Sequence, residues 1–171
     1  QYREKFLQDS EKISQAKCLA SMCKEYNSLF IVNDRIDIAL AVDADGIHLG
    51  QEDIPTKIAR DLLGAEKIIG RSTHCTEDIK NAEKEGCDYI GIGPIFPSET
   101  KKQLRPLGID YLKKGLSETL LPAFAIGGIN SSNINKLNQI NNLRIAVSNA
   151  IINSNDPFSK TEELIKLLRC N

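Results

Sequence analysis

Carboxylates, cations and hydroxyls recur in this sequence at the ends of short apolar runs. Asn33 and Asp34 follow Leu29-Phe30-Ile31-Val32, and Asp53 follows Gly46-Ile47-His48-Leu49. Ser72 and His74 follow Lys67-Ile68-Ile69-Gly70, and Ser98, Glu99, Thr100 and Lys101 follow the run that begins at Asp88. Gly127-Gly128 follows 121–126, Val147-Ser148 closes 143–147, and Gln1, Arg3 and Lys5 open the chain. Two carboxylates beside cations suit Mg²⁺, which prefers one or two carboxylates and completes its shell with substrate phosphates and water. Arg3, Lys5 and Lys101 could take further phosphate oxygens. The hydroxyls of Ser98 and Thr100 with the Lys101 ammonium read as an anion site. Gly127-Gly128 would let backbone N–H groups approach a phosphate.

Each of these residues also has a plainer role. Asp34 before Arg35 fits a helix cap with a surface ion pair, and Asp53 ahead of Pro55 fits an N-cap. His48, inside an apolar run, fits a hydrogen-bonded interior histidine, while His74 stands at a run's end. Gly127-Gly128 could be a turn only, and Asp88–Lys101 a surface loop. One polar set after each successive run favours the functional reading. Cys75 beside His74 is a poor nucleophile candidate.

These groups need a scaffold of strands and helices. Helical spacing of Ile13, Ala16, Leu19, Ala20, Met22 and Cys23 predicts a helix from about Ser10 to Tyr26. Further helices are predicted over 36–42, after Pro55 (marked by Ile58, Leu62 and Leu63), from Thr76, over 109–116, over 131–139 and after Asp156-Pro157. The strands read as continuous apolar runs, as parallel strands covered on both faces do. Strand and helix alternate about six times, which leaves a doubly wound sheet or a (β/α)8 TIM barrel. The late glycine pair followed by a short tip at Ser148 favours the barrel, with a phosphate site after strands seven and eight. Counting back from Gly127 makes 29–32 strand three and puts Gln1 at the end of strand two. The expectation is one α/β domain over residues 1–171, a barrel without strand 1, helix 1 and most of strand 2, roughly forty residues by the usual βα spacing.

The chain has 171 residues and a net charge of −1, with no basic excess of the kind a nucleic-acid or membrane surface requires. Neither partner is expected. Five cysteines, at 18, 23, 75, 87 and 170, are odd in number and none is paired as C-x-x-C, which fits a reducing cytoplasm.

The blocks QYREK (1–5), NDR (33–35), DGIHLGQED (45–53), GRSTH (70–74), GIGPIFPSETK (91–101), AIGGI (125–129) and VSNAI (147–151) together resemble the thiamine phosphate synthase family. The resemblance runs from the first residue to about Ile151. It implies Mg²⁺-dependent coupling of an aminopyrimidine methyl diphosphate to a thiazole phosphate, with release of pyrophosphate. It also implies that Gln1, Arg3, Lys5, Asn33, Ser72 and Lys101 hold the pyrimidine diphosphate, with Lys101, Ser72 and Asn33 acting in catalysis. Asp34 and Asp53 would hold Mg²⁺. Ser98, Glu99 and Thr100 would meet the thiazole, and Gly128, Val147 and Ser148 would bind its phosphate. A homo-oligomer is compatible with this reading. The alternatives are a thiazole tautomerase-like isomerase and a non-catalytic phosphate-ligand-binding remnant of the barrel.

Overall fold

The computed structural model describes residues 1–98 and 104–169. The expected site residues Glu99, Thr100 and Lys101 lie outside the described residues. Six strands form one sheet in chain order: β1 Ile31–Asn33, β2 Gly46–Leu49, β3 Ile68–Thr73, β4 Tyr89–Ile92, β5 Ala123–Ile126 and β6 Arg144–Ala146. The expected α/β architecture of parallel strands and intervening helices is present. Contacts divide the chain into two units, Gln1–Ser72 with Asn81–Tyr89, and Thr73–Lys80 with Ile90–Asn171.

In the first unit β1 pairs parallel with β2, and β2 with β3. Tyr2 adds an isolated parallel bridge to Val32. Its N–H donates to the Ile31 carbonyl (2.8 Å), and its own carbonyl accepts from Asn33 N (2.9 Å). This bridge carries Gln1, Arg3 and Lys5 alongside β1. Helix α1 (Asp9–Glu25) starts with acids in its first turn, where the helix dipole favours them. It buries Ala16 with Phe30, Val32, Ile38, Ala39 and Ala44. The last four belong to β1, to α2 (Ile36–Ala41) and to the turn after it.

Helix α3 (Thr56–Leu63) corrects an expectation. Its inward face is Thr56 and Ala59, whereas Ile58 and Leu62 are 48% and 53% exposed. Small Ala59 lets the helix close on Ile47, Leu49 and Ile69. Of the three apolar residues that mark this helix in the sequence, Leu63 packs against the core and Ile58 and Leu62 do not. Pro55 is the N-cap, so Asp53 does not cap α3; its carboxylate accepts from Gly50 N at 2.5 Å.

One device recurs before the strands. Asp45 precedes β2, and its carboxylate accepts from Phe30 N at 2.7 Å. Asp88 precedes β4, and its carboxylate accepts from Ile69 N at 2.7 Å and from Arg60 at 2.6 Å. In both places a carboxylate ties an incoming strand to the beginning of an earlier one.

In the second unit β4 pairs parallel with β5, and β5 with β6. Asp78 receives the His74 and Cys75 N–H groups (2.7 and 3.1 Å), which sets the start of α4 (Thr76–Lys84). Helix α5 (Gly108–Ser117) presents Gly115 to Ile79 and Ile92, where an added Cβ would lie 3.1–3.2 Å from their methyl carbons. The helix expected over 131–139 shrinks to a 3-10 turn, Ile134–Leu137. Asn130 and Asn133 spend their side chains on local backbone groups, a competition that disfavours regular helix. Helices α6 (Asn149–Ile152) and α7 (Pro157–Arg169) follow. No helix of the described residues is long and apolar enough to cross a membrane.

Asp88→Ala should lower stability by about 1–3 kcal/mol, the cost of leaving the Ile69 N–H without its acceptor together with the loss of the Arg60 ion pair. Urea unfolding measures it. A change below about 0.5 kcal/mol, ordinary for a surface substitution, would show that the tie contributes nothing.

Candidate functional site

The polar groups of the first unit are placed by strand register. Asn33 pairs with His48 and His48 with Gly70, so these three positions form one row across β1, β2 and β3. Gly70 is required by what lies over it. A Cβ there would fall within the Tyr89 ring. Because that space is open, the phenol reaches inward and Tyr89 Oη lies 2.9 Å from His48 Nδ1. His48 Nε2 lies 2.9 Å from Ser72 Oγ, two residues beyond Gly70 on the same face of β3. The Gln1 side chain also hydrogen-bonds the Tyr89 phenol, which burial pushes to a raised pKa. Gln51 Nε2 donates to the Ser72 carbonyl at 2.5 Å. Gln1 and Ser72, expected together from the sequence, are therefore linked through Tyr89 and His48.

Asp34 sits at the tip of β1 with φ 64°, a left-handed conformation that Asp adopts more readily than most residues. Its N–H donates to the His48 carbonyl at 2.9 Å. The Asp34 carboxyl is pushed up to about 6, chiefly by burial and then by its hydrogen bond to Asp53 and the Asp53 charge. The fields of Lys5 and Arg3 oppose the rise. The two expected metal carboxylates are thus brought together, and two of the expected cations act on the same carboxylate. Arg35 does not pair with Asp34. It forks onto Asp9 (2.9 and 3.0 Å) and reaches Asp37 (2.9 Å).

Two carboxyls this close hold a proton between them, or a cation in its place. Among the described residues no cluster of three or more His, Cys, Asp and Glu forms a self-sufficient metal cage. An acid pair fits a hard divalent ion that takes its other ligands from phosphate and water.

In the second unit Gly127 and Gly128 both have positive φ, 96° and 69°. A Cβ on Gly128 would collide with the Pro97 carbonyl oxygen, so only glycine lets these loops meet. Asn130 and Asn133 donate their amides to the Gly128 carbonyl (3.2 and 2.8 Å), and Phe96 N donates to the Gly127 carbonyl at 3.0 Å. Ser98 is half-buried after this contact. Val147 and Ser148 follow β6, and the Ser148 carbonyl accepts from Ile151 and Ile152 as α6 begins. His74 Nδ1 donates to the Gly93 carbonyl, tying a tip residue to the loop after β4.

Tyr89 was missed in the sequence, where it read only as part of an apolar strand. The signal available was the row Gly70–His48, a histidine in register with a glycine. Asn130 and Asn133 were likewise missed as the clamp on the glycine turn.

Residues 1–151 match the family described as thiamine monophosphate synthase. The thiamine-phosphate synthase of Prochlorococcus marinus strain MIT 9313 is 52% identical over 169 residues, 99% of this chain and 48% of that protein. That of Synechocystis sp. strain ATCC 27184 is 44% identical over 168 residues, 98% of this chain and 49% of that protein. The chain therefore spans about half the length of these curated relatives. The solved thiamine phosphate pyrophosphorylase from Pyrococcus furiosus superposes with a TM-score of 0.89 at 38% identity, covering 97% of this chain and 80% of that one. The chain belongs to the thiamine monophosphate synthase family.

Proposed function

We propose that this protein is a thiamine phosphate synthase, joining an aminopyrimidine methyl diphosphate to a thiazole phosphate and releasing pyrophosphate. The observation that carries the proposal is the Asp34–Asp53 pair under the fields of Arg3 and Lys5. A site of paired acids and cations is suited to a diphosphate that departs with its metal. The six strands are then strands three to eight of a (β/α)8 barrel, and the Tyr2 bridge lies where strand two would end. The setting is cytoplasmic, in keeping with the free thiols of Cys18, Cys23, Cys75 and Cys87.

Asp34 and Asp53 would hold Mg²⁺, which when bound neutralises charge on the leaving diphosphate. Arg3, Lys5 and Lys101 take the remaining phosphate oxygens, and Asn33 and Ser72 orient the pyrimidine end. The electron-rich aminopyrimidine ring supports a cation at its methylene carbon as the diphosphate departs. Ser98, Glu99 and Thr100 position the thiazole nitrogen to attack that carbon, while Gly128, Val147 and Ser148 offer backbone groups to the thiazole phosphate. The side chains stabilise developing charge and hold two ligands in register, so no protein nucleophile is needed. A thiazole tautomerase-like isomerase would have little use for the acid pair.

The direct test mixes the full protein with both heterocycles and Mg²⁺ and assays thiamine phosphate by fluorescence after oxidation. Product is expected. Binding of both ligands without product would leave a non-catalytic remnant and end the synthase reading. Asp34→Asn and Asp53→Asn should each cut turnover on the order of 10²–10³-fold, the cost of losing a group aimed at transition-state charge, with thiazole phosphate binding nearly unchanged. Full activity in either variant would remove that residue from the metal set. Lys101→Ala should slow the step that breaks the pyrimidine–diphosphate bond; an unchanged single-turnover rate excludes it.

The proton on Asp34 gives a further outcome. Its folded pKa of about 6 lies above the ordinary aspartate value, so the folded state binds the extra proton between these limits. Its contribution to stability therefore falls as pH rises through that window. Mg²⁺ competes with this proton. The rise in Tm with Mg²⁺ should be small near the bottom of the window and largest above about pH 6. It should vanish in Asp34→Asn. An equal Mg²⁺ effect across the window would contradict binding at this pair.

A further inference from the structure

We propose that Gln1, Tyr89, His48 and Ser72 form a hydrogen-bond relay of fixed polarity, with the His48 proton on Nε2. Ser72 then presents a hydroxyl hydrogen, and Gln1 a carbonyl oxygen, to the ligand in the first unit. The polarity follows from chemistry within the unit. Its consequence for substrate rests on the synthase reading above.

The imidazole lies between two hydroxyls at equal distance, Tyr89 Oη at Nδ1 and Ser72 Oγ at Nε2, both 2.9 Å. His48 is 6% exposed, so water does not freely exchange with either bond. A neutral ring has one N–H and one bare nitrogen, so one hydroxyl must donate and the other accept. The two are not equivalent. A phenol is far more acidic than an alkyl hydroxyl, so it is the better donor to a bare ring nitrogen and the poorer acceptor of an N–H. Tyr89 therefore donates to Nδ1, and Nε2–H donates to Ser72 Oγ. Burial of the phenol, which raises its pKa, keeps the donated proton in place.

Both ends of the relay now have a set polarity. Ser72 Oγ accepts from the ring, so its own hydrogen is turned to the ligand. Tyr89 has given its hydrogen to His48, so its oxygen accepts from the Gln1 amide. The Gln1 carbonyl is then left to accept. A pyrimidine ring nitrogen can only accept and an exocyclic amino group donates, so this polarity suits the edge of an aminopyrimidine, with Ser72 donating to the ring nitrogen and Gln1 accepting from the amino group. The reverse tautomer would commit the Ser72 hydrogen to His48 and the Gln1 carbonyl to Tyr89. It would exchange donor and acceptor at both points. His48 and Tyr89 are thus positioning residues that act through Ser72 and Gln1.

The sequence contains two histidines, and the second is a built-in control. His74 Nδ1 faces the Gly93 carbonyl, which can only accept, so His74 must carry its proton on Nδ1. The experiment is ¹⁵N NMR of this 171-residue chain labelled at histidine, free of ligand and mildly alkaline, with His74→Asn to assign the signals. The expected result is Nε2–H at His48 and Nδ1–H at His74. A dominant Nδ1–H form, or a doubly protonated ring, at His48 overturns the relay. Tyr89→Phe should release the bias and let Nδ1–H appear at His48. It should also raise KM for the pyrimidine diphosphate about tenfold, the scale of one well-placed hydrogen bond, with KM for the thiazole phosphate unchanged. Retention of the Nε2–H form with an unchanged pyrimidine KM also overturns it. If the protein makes no thiamine phosphate, the ligand-free tautomer still decides the relay, and only the synthase reading fails.

Discussion

A phenol lying over a glycine is the contact on which the polar half of the first unit depends. Tyr89 occupies the space that a side chain on Gly70 would fill. From there it reaches the ring of His48, which in turn reaches Ser72. Replacing either ring with an aliphatic side chain would break a hydrogen bond of this chain in a largely buried setting, a cost of the order of one hydrogen bond. Gly70 is there for approach and not for backbone freedom: its φ is not in the left-handed region, unlike that of Gly127 and Gly128.

His48 is joined to the acid pair as well. Its carbonyl accepts the Asp34 N–H at 2.9 Å, which helps hold Asp34 in its left-handed turn with its carboxyl against Asp53. One residue of β2 thus orients a carboxylate through its backbone and a hydroxyl through its ring. The Asp53 carboxylate is itself fixed by Gly50 N, within the turn that leaves β2. The two carboxyls are set by backbone bonds at strand ends. This is the economy of parallel strands, whose ends present consecutive backbone groups and side chains to one place.

Much of this was legible beforehand. Unbroken apolar runs such as Phe30-Ile31-Val32 and Ile90-Gly91-Ile92 identify strands covered on both faces, because burial leaves no polar alternation. The residues just beyond them, including Asn33, Asp34, Asp53 and Ser72, stood out because a polar residue directly after a buried strand has nothing in the core to satisfy it. Position on a helix was less legible. Ile58 and Leu62 are apolar at helical spacing, but small Ala59 faces the sheet because close approach, not hydrophobicity, decides that contact. His48 read as an interior histidine because its neighbours in sequence are apolar. Its two partners lie 24 and 41 residues away, and only the fold brings them together. The repeated Asp45 and Asp88 ties were invisible for the same reason, since each carboxylate serves an N–H from an earlier strand.

In the proposed reaction the two units would handle anions by different means, and the difference fits what each phosphate must do. In the first unit charge is supplied by side chains: Asp34 and Asp53, with Arg3 and Lys5 acting on the same carboxylate. A leaving diphosphate gains charge as its bond breaks, and full charges with a divalent ion respond to that change more strongly than neutral dipoles. In the second unit the expected phosphate contacts are backbone groups of a glycine turn pinned by two asparagines. The thiazole phosphate keeps its charge throughout the reaction. Neutral N–H groups would suffice to hold it, and holding it equally well before and after bond formation would leave the barrier to be lowered where the diphosphate departs.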